Sequence, residues 1–114
     1  MIPKLIWCFW NTDYLPLSVN KSILSWKFHN PDYKITIINK RNIKEIIPGI
    51  DFSKIKHAKT SFQILSDFIR INVLRTYGGI WVDASTFSTM SYDKWFEKIG
   101  VTSKTEYIGF YNPE

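Results

Sequence analysis

At 114 residues, with 45% hydrophobic and 22% charged side chains, the chain has the size and composition of one globular domain with a modest core. Its formal net charge of +5 suits anionic partners such as phosphates, a nucleic acid or an acidic membrane surface. A single cysteine excludes an internal disulfide framework, no zinc-type ligand set is present, no apolar run is long enough to span a bilayer and no signal-peptide pattern is visible, so a reducing, cytoplasmic compartment is expected.

Residues Ile2 to Trp10 (IPKLIWCFW) are near-continuously apolar after Lys4. That pattern predicts a strand buried on both faces, as in a parallel sheet, with Cys8 as a small buried hydrophobe. Asn11-Thr12-Asp13 is a turn at its carboxyl end. Trp10 therefore falls at the sheet edge where open α/β proteins bind ligands, although taken alone it reads as a core or rim tryptophan.

Pro16 to Phe28 predicts a helix entered through proline. Val19, Ile23, Leu24, Trp26 and Phe28 form its apolar side, and Asn20, Lys21, Ser25 and Lys27 face outward. Asn30-Pro31-Asp32 is a turn, and His29 is a surface loop residue with no catalytic part. Lys34 to Asn39 (KITIIN) is a second strand, completing a right-handed βαβ unit. Asn42 to Ile47 reads as a short helix stopped by Pro48-Gly49. Asp51 to Lys59 is a polar connection whose Lys54, Lys56, His57 and Lys59 read as a solvated loop, with a phosphate or membrane patch as the alternative.

The stretch Gln63 to Ser85 organises the rest. Ile64, Leu65, Phe68, Ile69, Ile71, Val73 and Leu74 cover more than one stripe, so a helix buried on most sides is expected, with Thr60 or Ser61 as its cap. Gln63, Asp67 and Arg70 share one face through spacings of four and three. Gly78 stands where a left-handed residue ends a helix. Ile80, Trp81 and Val82 form a strand, and Asp83 ends it at the ligand edge. Each polar residue also has a plain reading: Asp67 and Arg70 as an (i, i+3) ion pair, Asp83 as the cap of a turn. Beyond Asp83, Ser91 to Ile99 reads as a short helix burying Trp95 and Phe96, and Tyr107 to Tyr111 as a further strand.

The run Ser66-Asp67-x-x-Arg70, followed by Leu74-x-x-Tyr77-Gly78-Gly79-Ile80-Trp81-Val82-Asp83-Ala84-Ser85, resembles the signature of sugar-nucleotide glycosyltransferases with a DXD motif. The nearest groups are the capsular polysaccharide synthesis proteins and the mannosyltransferase-like family 32, with the large clostridial glucosylating toxins sharing the core. The opening strand agrees, since these families begin with a similar Ile-Pro-Lys strand ending in Trp, and Ser25-Trp26 through Pro31 and Tyr33 resembles their next link. The resemblance covers nearly the whole chain but only the N-terminal half of the family's length. It implies a Rossmann-like GT-A fold, α/β, of which residues 1–114 form a single, truncated or partner-dependent domain, with Tyr107 to Tyr111 as an open edge.

What the resemblance implies for function is transfer of a hexose from a nucleotide-sugar donor to a glycan or lipid-linked glycan acceptor, with retained configuration, in capsular or other surface polysaccharide synthesis. Trp10 would stack on the base, Asp67 and Asp83 would accept hydrogen bonds from ribose hydroxyls, and Arg70 would orient the carboxylates or grip donor oxygens. A divalent metal, Mn²⁺ or Mg²⁺, would neutralise the diphosphate from Asp83 and Ser85. The second DXD acid is Ser85 here, a poorer ligand, a form common in the capsular group. No catalytic base or nucleophile is assigned. Peripheral contact with the inner face of a membrane is compatible with the charge, and no nucleic-acid reader motif is present. The alternative is a catalytically silent fragment that binds a nucleotide sugar or glycan.

Overall fold

The computed structural model describes residues 2–12, 14–54, 62–99 and 107–110. Strands β1 (Leu5–Phe9), β2 (Lys34–Ile38), β3 (Gly79–Val82) and β4 (Tyr107–Phe110) form one sheet in the order β2-β1-β3-β4. Every pairing is parallel, with Leu5 opposite Lys34, Ile6 opposite Ile80 and Gly79 opposite Tyr107. The helices are α1 (Leu17–His29), α2 (Ile43–Ile46), α3 (Phe62–Tyr77) and α4 (Tyr92–Ile99), with a 3₁₀ turn at Phe52–Lys54 before α3.

Residue alternation along the strands sends side chains to two separate cores. Ile6, Cys8, Ile80 and Val82 pack with Val19, Ile23 and Trp26 of α1 and with Tyr92 of α4. Trp7, Phe9, Ile38 and Trp81 pack with Ile43 of α2 and with Leu65, Ile69, Val73 and Leu74 of α3. The sheet is thus covered on both faces, which is why its strands read as unbroken apolar runs. The connection from β1 to β2 uses α1 on one face, and the return from β2 across to β3 uses α3 on the other. Crossovers of one hand that step in opposite directions must lie on opposite faces, so the layout follows from strand order. It is compatible with a Rossmann-like fold.

Two glycines shape the turn into β3. Gly78 has φ 72° and its N–H donates to Leu74 O at 2.9 Å, the left-handed helix stop expected there. Its carbonyl accepts from Trp7 Nε1 at 2.9 Å. Gly79 has φ 103°, and a Cβ built there would lie 2.7 Å from Leu5 O. Only glycine lets β3 start this close to β1.

Several expectations need correction. Leu24 and Phe28 are exposed rather than part of the apolar side of α1, and Ser25 is buried, accepting a hydrogen bond from Ser88 N at 2.9 Å. The sheet-facing arc of α1 is filled by Val19, Ser22, Ile23 and Trp26, leaving the opposite arc to water. His29 is the last residue of α1 rather than part of the loop after it. Ile64 and Ile71 of α3 are also exposed, so that helix buries one side and not most of its surface. Trp95 and Phe96 are half-buried, because α4 lies at the margin of its core. The expected cap at Thr60 or Ser61 lies outside the described residues, as do Lys56, His57 and Lys59; Phe52–Lys54 forms the 3₁₀ turn rather than loop.

Candidate functional site

The order of strands reverses at β1: the chain goes outward to β2, then back across to β3. In a parallel sheet this switch point opens a crevice between the carboxyl ends of the two strands that flank it. Here those strands are β1, followed by Trp10, and β3, followed by Asp83. Continuing the Ile6–Ile80 and Trp7–Trp81 register places Asp83 level with Phe9, one residue before Trp10.

Trp10 is half-buried. Its backbone N–H donates to Ile38 O at 2.9 Å, and its indole Nε1 donates to Tyr14 O at 3.1 Å, a carbonyl that also accepts from Thr12 Oγ1 at 2.9 Å. One side of the ring packs on the α1 core. The indole is therefore fixed in orientation while part of its surface stays at the sheet edge.

Asp83 is half-buried, and its carbonyl accepts from Thr86 N at 2.9 Å, closing a turn through Ala84 and Ser85. This turn presents Ser85, which is exposed, just beyond the strand end. Asp83 also acts on Cys8. Burial first, and the negative charge of Asp83 second, push that thiol up to about 12. The carboxylate thus lies near the β1–β3 boundary.

Asp67 and Arg70 pair at 3.5 Å on α3, with the guanidinium the more buried partner. Their height follows from geometry. The climb from Gly79 to Asp83 spans about 13 Å of strand, equal to about nine residues of helix, so counting back from Tyr77 reaches the Asp67–Arg70 turn. The pair therefore stands at the level of the carboxyl edge, on the same turn as the core residue Ile69. The structure so brings Trp10, Asp83 and Ser85 to one edge and sets Asp67 and Arg70 at its height on the neighbouring helix. The side chain of Gln63 lies outside the described residues.

A polar recess of about 250 Å³ at the same edge, lined by Asn11, Thr12, Asn39, Lys40 and Arg41, was not anticipated. Its wall is held by two asparagines. Asn39 Oδ1 accepts from Arg41 N and Asn42 N at 2.9 Å each, Asn42 Oδ1 accepts from Asn39 N at 2.8 Å, and Asn42 Nδ2 donates to Ile37 O at 2.9 Å. Lys40-Arg41 directly after an apolar strand was the available sequence signal.

Among the described residues, no three His, Cys, Asp or Glu side chains cluster to hold a metal. Asp83 with the Ser85 hydroxyl fits a Mg²⁺-like ion only of the kind completed by substrate phosphates and water. No helix among the described residues is long and apolar enough to cross a membrane.

The chain is similar to the O-glycosyltransferase braB of Annulohypoxylon truncatum, 27% identical over 97 residues covering 74% of this chain. The chain spans only 23% of that relative's length. No solved structure matches it. The family model for capsular polysaccharide synthesis proteins matches residues 1–108, edge residues and both cores included, and the chain belongs to that family.

Proposed function

We propose that this chain is the donor-binding part of a GT-A glycosyltransferase that moves a hexose from a nucleotide sugar to a glycan or lipid-linked glycan acceptor. The observation that carries this reading is the meeting of Trp10 and Asp83 at the switch point of a doubly covered parallel sheet, in a chain of the capsular polysaccharide synthesis family. The held indole of Trp10 offers a flat face for a base. The neighbouring recess of Asn11, Thr12 and Asn39 offers hydrogen-bonding groups beside it. Asp83 accepts from ribose hydroxyls or holds a cation, and Arg70, paired with Asp67, supplies positive charge at the height of the edge. A divalent ion held by Asp83 and Ser85 would neutralise the diphosphate leaving group.

Calorimetric titration of the purified chain with UDP, GDP and nucleotide sugars, with and without Mn²⁺, tests the reading. One nucleotide should bind, and Trp10→Ala and Asp83→Asn should each weaken it by about tenfold or more, the effect of losing a stack or a charge-assisted hydrogen bond. A folded chain that binds none of them, or variants that bind as the parent does, would overturn the assignment. A second reading is a silent binding module. It is favoured by the single carboxylate of Asp83-Ala84-Ser85, and binding without turnover in the presence of Mn²⁺ would select it.

A further inference from the structure

Helix α1 is apolar on two opposite sides. Val19, Ile23 and Trp26 face the core. Leu17, Leu24 and Phe28, spaced by seven and four, stand on the opposite arc and are 69%, 62% and 74% exposed. Helical spacing puts Lys21 within this stripe and Lys27 on its flank. The stripe runs about 16 Å along the helix. Phe87, itself 63% exposed, borders it, and with Lys21, Leu24, Phe28 and His29 lines a shallow recess of about 380 Å³. Tyr14, just before the helix, is exposed as well. A helix that needed only to cover the sheet would be polar on its outer face.

The charged side chains of the two segments that form this patch are of one sign. No carboxylate occurs from Tyr14 to Asn30, nor from Ala84 to Tyr92, whereas Lys21 and Lys27 lie in and beside the stripe. A second copy of the chain is a poor occupant, since a two-fold contact centred on the stripe sets Lys21 against its own mate. Protruding aliphatic and aromatic side chains with interspersed lysines match the boundary between anionic headgroups and acyl chains.

We propose that the outer face of α1, with Phe87, docks on an anionic membrane surface. Leu17, Leu24, Phe28 and Phe87 enter the boundary region, and Lys21 and Lys27 meet lipid phosphates. The placement suits the rest of the molecule. α1 begins beside the carboxyl edge of β1, and Phe87 follows Asp83 closely in the chain, so a docked chain holds its candidate site next to the bilayer. This inference goes beyond the donor-site reading and does not depend on it.

The experiment is co-sedimentation of the purified chain with phosphatidylcholine vesicles, with and without about one-third phosphatidylglycerol. The expected result is binding to the anionic vesicles, at least about tenfold stronger than to neutral ones and weakened by salt. Leu24→Ser with Phe28→Ser should lower it about tenfold with the circular dichroism spectrum and nucleotide titration unchanged, because both side chains lie outside the core and the sheet edge. Lys21→Glu with Lys27→Glu should remove the preference for anionic lipid. A folded parent chain that stays in the supernatant overturns the proposal, as does undiminished binding by either double variant. So does a dimer in size-exclusion chromatography that Leu24→Ser with Phe28→Ser converts to monomer, because a second copy would then be the occupant.

Discussion

Cys8 shows how one residue reports on the sheet around it. Its thiol has no exposed surface, and burial with the nearby Asp83 charge pushes it up to about 12. The ordinary thiol value is near 8.5, so between these limits the unfolded chain releases a proton that the folded chain keeps. A raised value contributes stability that is fully present below about pH 8.5 and is lost as pH rises toward 12. The loss approaches about 4 kcal/mol at the upper limit. Tyr33 and Tyr92 act in the same direction from about pH 10, since burial raises both above the ordinary tyrosine value. Cys8→Ala should cost about 1 kcal/mol at pH 7 and flatten the decline from pH 8.5 to 10, measured by urea unfolding at stepped pH. An unchanged slope would mean that the thiol is not the group titrating. The burial of Cys8 was legible from the apolar run around it, as was the edge position of Trp10 and Asp83 from the polar residues that follow each. The Asn39–Asn42 bonds were not legible, because they depend on a loop curvature that residue types alone do not specify.

At the scale of elements, the turn from α3 to β3 is the sharpest constraint. Gly78 and Gly79 both have positive φ, but they differ in surroundings. Gly79 faces the backbone of β1, so Gly79→Ala adds a steric clash to an unfavourable φ. Denaturant unfolding should show a loss of about 2–5 kcal/mol, the sum of strain and overpacking. At Gly49 an added methyl group would meet nothing within 4 Å, so this position serves as the control, with Gly49→Ala changing stability by less than about 0.5 kcal/mol. Equal effects at the two sites would contradict the close approach of β3 to β1. The Gly-Gly break itself stood out in the sequence, as did the type and order of the surrounding elements. What periodicity could not separate was which apolar residues of a helix meet the sheet. α1 carries enough apolar residues for two faces, and the choice of Val19, Ile23 and Trp26 over Leu24 and Phe28 is made by the sheet they pack on.

For the molecule as a whole, the question is what holds the segment after β3 against α1. The apolar contacts of α4 come from Tyr92 and Phe96, and polar bonds fasten the rest. Trp26 Nε1 donates to Thr86 O at 2.8 Å, and Ser88 N donates to Ser25 Oγ. Ser88 Oγ donates to Tyr92 OH at 3.0 Å, and Tyr33 OH donates to Asp93 Oδ1 at 2.7 Å. Lys4 pairs with Asp32 and lies 3.4 Å from Asp93, exposed contacts that add little. Asn30 is the joint. It is 2% exposed, its Nδ2 donates to Trp26 O at 2.9 Å, and its Oδ1 accepts from Tyr92 N at 2.8 Å. One side chain thus closes the end of α1 and caps the start of α4, a role hidden in sequence behind an ordinary Asn-Pro-Asp turn. Asn30→Ala should cost about 1–3 kcal/mol, because it leaves a buried N–H and a helix-end carbonyl with fewer partners. Hydrogen exchange should show the loss first at the Tyr92 amide, while Ile6 and Ile80 in the sheet keep their protection until global unfolding. Uniform loss across the sheet would instead make Asn30 part of the central core, and no loss at Tyr92 would remove it as the joint. Because the same segment begins at Asp83, loosening it should also weaken the proposed nucleotide binding with Trp10 and Asp83 both intact. That coupling separates a site built by the whole molecule from one carried by two residues alone.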